Sequence, residues 1–291
     1  MNMLSGKTAV ITGSTRGFGL AIAKAFAREG AQVVICSRSR EAVDKTLTGF
    51  KQDGVIVSGM ICDIAHQSQV EALAKFARRT YGGLDIWVNN AAISAPYGPI
   101  LSIEPRVFEH VLQVNILGAY YGSIVAMKHF LEQGSGKLIN ISGVGDKRSV
   151  PMQAAYASSK AWLIQFTRAL ADEYKSSGAG VYLLNPGMMD TDLLQKVEVI
   201  RGYEHRLNKF ETIISVLSQP PEVPAQKAVW LASKKTDGRT GLVVRELTIW
   251  KILRNSVYRI LGLLLNRPSR PINVQITSVP SAYPPNKEGR N

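Results

Sequence analysis

The stretch Thr8-Ala9-Val10-Ile11-Thr12-Gly13-Ser14-Thr15-Arg16-Gly17-Phe18-Gly19 decides how this chain folds. Thr8–Thr12 is a short apolar run of strand type, and Phe18–Arg28 sets Ala21, Ile22, Ala25 and Phe26 on one face at helical period. The three glycines between them have separate tasks. Gly13 permits a tight turn, Gly17 lets backbone approach a pyrophosphate, and Gly19 lets the helix pack closely on the strand. Free N–H groups at the helix start then suit phosphate. A glycine triplet alone signifies only a sharp turn; the flanking strand and helix make it a dinucleotide site.

Outward from this unit the pattern repeats. Apolar runs at Gln32–Cys36, Val55–Cys62, Leu84–Asn89, Lys137–Ser142 and Gly180–Leu184 alternate with helical segments, and Gly30 suits a left-handed helix end. The runs lack polar alternation, as strands covered on both faces do. We therefore expect an α/β fold with a doubly wound, Rossmann-type parallel sheet. No linker or internal repeat divides it, so residues 1–250 read as one catalytic domain with a substrate lid at about 188–218. Residues 251–291 read as a C-terminal extension. There, Lys251–Leu265 is amphipathic at helical period, and Pro268, Pro271, Pro280, Pro284 and Pro285 predict an extended tail.

Composition narrows the function classes. The chain has 291 residues, 45% of them hydrophobic, which suits one substantial globular unit. Two cysteines, Cys36 and Cys62, support neither a disulfide framework nor a metal cluster, so no metal is expected and a reducing, cytoplasmic compartment is. Met1–Gly6 has neither the basic nor the apolar region of a secretory signal, and the run Ile260–Leu265 is far short of the ~20 residues that span a bilayer. The net charge of +13 is spread over single Lys and Arg positions without a base-stacking aromatic platform. That argues against nucleic acid and leaves weak attraction for an anionic cofactor, substrate or lipid.

Two positions speak to the cofactor's charge. Where a carboxylate would accept from a ribose 2′-hydroxyl and repel a 2′-phosphate, the second strand ends in Ser37-Arg38. With Arg16, two guanidinium groups can converge on that phosphate, which predicts NADP(H) in preference to NAD(H). The chemistry lies further on, at Ser142 and at Tyr156-Ala157-Ser158-Ser159-Lys160. Residues four apart share a helical face, so the Tyr156 phenol and Lys160 ammonium point into one cleft. A cation beside a phenol favours phenolate and brings its pKa down toward the working range of a proton donor. Ser142 can donate to the same substrate oxygen.

These motifs resemble the short-chain dehydrogenase/reductase family over roughly residues 6 to 192, together with Asp63, Asn89-Asn90-Ala91, Asn115 and Asn185-Pro186-Gly187 with Thr191. The resemblance implies interconversion of a carbonyl and an alcohol, with Asn115, Ser142, Tyr156 and Lys160 as catalytic residues. It implies that Asp63 and Asn89 line adenine and ribose, that Lys160 holds the nicotinamide ribose, that Asn115 keeps a relay water and that Thr191 meets the carboxamide. Ser14, Thr15, Phe18, Cys62, Ala91, Pro186, Gly187 and Met189 complete the implied cofactor contacts. Dimers or tetramers through the helices of Asn115 and Tyr156 are expected as well. Ala92 departs from the glycine usual at its position, and Thr240–Thr248 lacks the usual glycine-rich last strand, leading instead into the amphipathic helix.

That ending, Gly187–Leu194 and the Pro-Pro-Glu-Val stretch at 220–223 are similar to the chlorophyll b reductase branch, which implies reduction of a formyl group on a large tetrapyrrole. The segments expected to line a small-molecule substrate are Ile93–Ile103, Gly143–Ala155 and Met188–Ser218, with Met152, Met188 and Met189 giving an apolar, adaptable wall. Two other classes compete: a non-catalytic dinucleotide-binding regulator, and a peripheral membrane-binding subunit using 251–265. The complete Asn115, Ser142, Tyr156 and Lys160 set favours an enzyme.

Overall fold

The computed structural model describes residues 2–145, 149–246 and 274–283. Strand β1 (Thr8–Ile11) passes into helix α1 (Gly17–Arg28), and β2 (Gln32–Ser37) into α2 (Arg40–Gln52). Strand β3 (Ser58–Ile61), α3 (Gln67–Tyr81) and β4 (Ile86–Asn89) follow. The chain then forms α4 (Pro105–Leu112), a π-helical turn at Gln113–Leu117, α5 (Gly118–Gln133), β5 (Gly136–Ile141), α6 (Ala154–Glu173) and β6 (Ala179–Asn185).

Six of these strands and β8 (Leu242–Arg245) form one parallel sheet in the order β3-β2-β1-β4-β5-β6-β8. The order reverses between β1 and β4, and at such a reversal the carboxyl ends of the strands open a crevice. Every residue of β1 and β4 is buried, whereas the edge strands β3 and β8 are half-buried throughout. That gradient reproduces the unalternating apolar runs expected of a sheet covered on both faces. Ile11, Phe26, Ile35 and Val88 lie in the core of one face, and Val10, Leu73, Trp87 and Phe130 in that of the other.

Thr240–Thr248 lacks the usual glycine-rich composition, and Leu242–Arg245 nevertheless pairs with Tyr182–Asn185 and completes the sheet. β-branched Val243 and Val244 suit a strand without glycine's help. The described part of the tail is extended and also paired. Gln275–Val279 forms β9, which pairs in parallel with β7 (Lys196–Ile200). The amphipathic segment 251–265 and four of the five tail prolines lie outside the described residues.

The region expected as a lid, 188–218, is thus a small structured unit. It contains α7 (Asp192–Gln195), β7 and α8 (Phe210–Leu217), and buries Val197, Val199, Leu207, Phe210, Ile214 and Val274 in a core of its own. Tyr97 joins its sheet, accepting from the Ile200 N–H and donating to the Glu198 carbonyl, each at 2.8 Å. Helix α9 (Glu222–Ala232) then returns to pack on α1. Among the described residues no helix is long and apolar enough to cross a membrane.

Beneath β6 the Tyr182 hydroxyl lies within 3.1 Å of the Thr236 carbonyl and 2.9 Å of the Arg239 carbonyl, and ties β8's approach to the sheet. Tyr182→Phe leaves these buried acceptors without their donor, so stability should fall by about 1–2 kcal/mol, read as a lower denaturant midpoint at unchanged slope.

Candidate active site

The glycine loop is fixed before any ligand arrives. Gly13 stands at φ +61, where a β-carbon would meet that of Ala91 at 2.8 Å. A β-carbon on Gly19 would strike the Gly13 carbonyl and the Asn90 amide. The Thr12 hydroxyl donates to Val88 O at 3.2 Å and accepts from the N–H groups of Asn90 and Ala91, so the ends of β1 and β4 form one rigid rim. Asn90 donates to the carbonyls of Thr12 and Gly13. Helix α1 begins after Arg16 with no side-chain cap and no acidic residue in its first turn. Its first N–H groups and positive dipole end therefore suit an anion.

Not every implied cofactor residue faces a ligand. The Asn89 amide donates to Ala119 O, Ser123 Oγ and Asn140 Oδ1 and accepts from Trp87 Nε1 at 2.8 Å, so its whole side chain is spent inside the core. Only its backbone is left for the contact with adenine or ribose that the resemblance implies. Ser14 is fully buried, donates to Ile11 O at 2.6 Å and accepts from Cys36 N, and so stitches β1 to β2. Cys62 is buried beside Cys36; hydrogen bonding with that thiol, then burial, raises its pKa and keeps it protonated. Asp63 follows β3, with its carboxylate accepting from the Ala65 N–H.

The two arginines expected to converge on a 2′-phosphate each have another partner here. Arg16 pairs with Asp192 of α7 at 3.2 Å, and Arg38 lies 3.5 Å from His110 Nε2, on α4. Both contacts are exposed. Exposed pairs are worth ~1 kcal/mol or less, so a doubly charged phosphate can displace them. Ser37 ends β2 one residue before Arg38, and Thr191 precedes α7 without a side-chain capping hydrogen bond.

The catalytic candidates do come together. Tyr156 and Lys160 lie one turn apart on α6, with Lys160 Nζ 5.5 Å from the centre of the Tyr156 ring. Lys160 is only 4% exposed and donates to Ile141 O, the last residue of β5. Ser142 follows directly, and its buried hydroxyl has no hydrogen-bond partner among the described residues. A buried donor without a partner is costly, which points to an acceptor supplied by a ligand. Asn115 occupies the π-helical turn, and such turns are frequent at functional sites. Its side chain is engaged with both backbone polar groups of Ile93 and with Ser159 Oγ, which in turn donates to Tyr156 O.

The electrostatics overturn one expectation. The cation was expected to lower the tyrosine pKa, but burial, with Tyr97 adding to it, pushes the phenol above its ordinary value. Burial also lowers Lys160 from 10.5 to about 8. Desolvation is the leading cause of both shifts. The site at neutral pH holds a protonated phenol beside a buried ammonium.

Sequence reasoning missed three positioning residues. Gln153 lies three residues before Tyr156, accepts from Ser94 at 2.7 Å and donates to Ala95 O, locking the 93–98 loop to the start of α6. Helical spacing from Tyr156 was the available signal. Tyr97 packs edge-on against Phe210 and presents a second, half-buried phenol, which burial pushes above its ordinary value. Asp192 holds Arg16, and only its place in Asp190-Thr191-Asp192 hinted at a role. Among the described residues no group of side chains is arranged to hold a metal.

The family model described as short chain dehydrogenase matches residues 7–200. The chain is 36% identical to 3beta-hydroxysteroid dehydrogenase 1 of Eggerthella lenta over 82% of its length and 91% of the relative's. It is 36% identical to chlorophyll(ide) b reductase NOL, chloroplastic, of Oryza sativa subsp. japonica, covering 76% of this chain and 64% of that protein. A crystal structure of 3-ketoacyl-(acyl-carrier-protein) reductase from Brucella melitensis complexed with NADH superposes with a TM-score of 0.74 at 30% identity, over 84% of this chain and 97% of that one.

The lowered Lys160 pKa carries a stability signature. Between about pH 8 and 10 the unfolded chain holds this proton and the folded one does not, so stability should rise with pH across that window. Lys160→Met should flatten the rise, as read by urea denaturation at pH 8 and pH 10. Above pH 10 the raised phenol acts in the opposite sense, because the unfolded tyrosine ionises first.

Proposed function

This chain belongs to the short-chain dehydrogenase family, and from that membership we propose that it reduces the carbonyl group of a large, apolar small molecule at the expense of NADPH. The observation that carries the reading is the meeting of an orphaned buried Ser142 hydroxyl, a protonated Tyr156 phenol and a buried Lys160 ammonium at the carboxyl end of β5.

The residues present fit a nicotinamide dinucleotide: the uncapped start of α1 for its pyrophosphate, Asp63 and the backbone of Asn89 to Ala91 for its adenosine, and Lys160 and Thr191 for its nicotinamide end. When bound, this group supplies the hydride. The chain's own residues manage the oxygen. Ser142 donates a hydrogen bond to the carbonyl oxygen, and Tyr156 gives up its hydroxyl proton to that atom as negative charge builds there. Lys160 stabilises the phenolate left behind. Asn115 and Ser159 hold the backbone of Ile93 and Tyr156 in place for this transfer.

A large apolar substrate is in keeping with the apolar packing around the site. Ala95, Ile103, Ala155 and Ile200 form a buried cluster at the first turn of α6, and Tyr97 packs edge-on against Phe210 of the β7 unit. The activities named for two relatives, a steroid dehydrogenase and a chlorophyll(ide) b reductase, agree with a polycyclic compound, a formyl tetrapyrrole among the candidates. Free Cys36 and Cys62 support a reducing compartment. A partly exposed aromatic face, Tyr120 against Phe166 stacked on Trp162, supports association of copies through α5 and α6.

Tyr156→Phe keeps the shape and removes the proton donor. NADPH-dependent reduction of a panel of aldehydes and ketones should fall ~10²-fold or more, with cofactor binding retained. Undiminished turnover would transfer the proton-donor role elsewhere.

NADPH preference rests on Arg16 and Arg38 and on the absence of a carboxylate at Ser37. Fluorescence titration should show NADPH binding at least about tenfold tighter than NADH, consistent with ~1.5–3 kcal/mol for one charge-assisted hydrogen bond. Arg38→Asp should reverse the order, and equal affinities in the unmodified chain would remove the NADPH assignment.

A further inference from the structure

The parallel sheet has two ends, and the catalytic residues occupy the carboxyl one. At the amino end lies a cavity of about 690 Å³, between the starts of β1, β4, β5 and β6 and the loop that precedes β8. This volume is in the ordinary range for small-molecule sites. Its walls carry six cationic side chains, Lys7, Lys137, Lys175, Lys234, Lys235 and Arg239, against two carboxylates.

Both carboxylates are already committed. Asp85 binds Lys7 at 2.7 Å and the Thr8 N–H at 2.9 Å, and Asp237 binds Lys137 at 2.7 Å. Among the described residues, Lys175, Lys234, Lys235 and Arg239 form no ion pair. Four cations with no ion-pair partner among the described residues therefore line the concavity, a distribution that concentrates positive potential inside it.

The floor is built rather than loose. Lys137 is largely buried, and its ammonium binds the Ser233 carbonyl and the Thr236 hydroxyl as well as Asp237. The Tyr182 hydroxyl holds the carbonyls of Thr236 and Arg239, which sets the wall bearing Lys234 and Lys235. The Arg239 guanidinium lies over the Trp230 ring, 5.8 Å from its centre. Met3, Ile86 and Ala179 supply apolar surface beside these charges.

We propose that this cavity is a second ligand site, separate from the catalytic cleft, which takes a small molecule carrying a di- or triphosphate-like group. The flexible ammonium groups act as point charges on the phosphate oxygens, and the guanidinium adds planar donors. The apolar floor accommodates the uncharged part of the ligand. None of this draws on the reading of Tyr156.

Isothermal titration of the full chain with inorganic pyrophosphate at low salt tests it. Because pyrophosphate can also enter the glycine loop, two variants are compared: Lys175→Glu/Lys235→Glu, which reverses exposed charges at the cavity, and Arg16→Glu, which does so at the loop. Saturable binding is expected, weakened at least tenfold in the cavity variant and unchanged in Arg16→Glu. The cavity variant should keep its thermal midpoint and its carbonyl reductase rate. Absence of saturable binding, or loss that follows Arg16→Glu alone, overturns the proposal. Co-sedimentation with phosphatidic acid vesicles separates the sources of phosphate. Equal pelleting of both variants is expected, whereas vesicle binding that needs Lys175 and Lys235 without any response to pyrophosphate overturns the small-molecule assignment.

Discussion

An ammonium group buried behind a phenol organises much of this molecule. Lys160 is taken out of water at the junction of α6 and β5, and a buried charge is tolerated only where partners compensate it. The Ile141 carbonyl does so at the very end of β5, which fixes how α6 descends onto the sheet. That placement delivers Tyr156 to the crevice and leaves Ser142 as the next residue along. The crevice exists because the strand order reverses between β1 and β4, and Thr12 and Asn90 bolt its two rims together. Fold and chemistry meet at the carboxyl ends of three strands.

Much of this was legible in the residues. The parallel strands announced themselves because burial on both faces demands unbroken apolar runs, and Tyr156 and Lys160 because helical geometry fixes what four-residue spacing means. Spacing reports proximity, however, and says nothing of desolvation. That is why the shift of the Tyr156 phenol has the opposite sign to the one its neighbour suggested. Asn89 misled for a related reason. An asparagine at a strand end looks like a ligand contact, and only the packing of Trp87, Ser123 and Asn140 around it reveals that every polar atom is used.

The arginines and the C-terminal strand show a second limit. Arg16 and Arg38 were placed near one another by the strand-turn-helix geometry, but their partners, Asp192 and His110, come from segments distant in sequence. Strand β9 was hidden because Gln275-Ile276-Thr277-Ser278-Val279 is short, half polar and bordered by proline. Nothing local distinguishes it from a loose tail. Its partner β7 decides its conformation, and pairing of that range cannot be read from propensity.

The pairing of β7 with β9 also imposes an order of events on synthesis. A chain still held on the ribosome at residue 250 already contains every strand of the main sheet, with Asn115, Ser142, Tyr156 and Lys160. Yet Val197 and Val199 then lack the neighbour that Val274 provides in the finished core. Closing so long a loop late is entropically slow, and an unfinished parallel edge is open to the wrong strand meanwhile. The nascent protein thus passes through a stage in which its main sheet is complete while the small unit around β7 still awaits its partner strand.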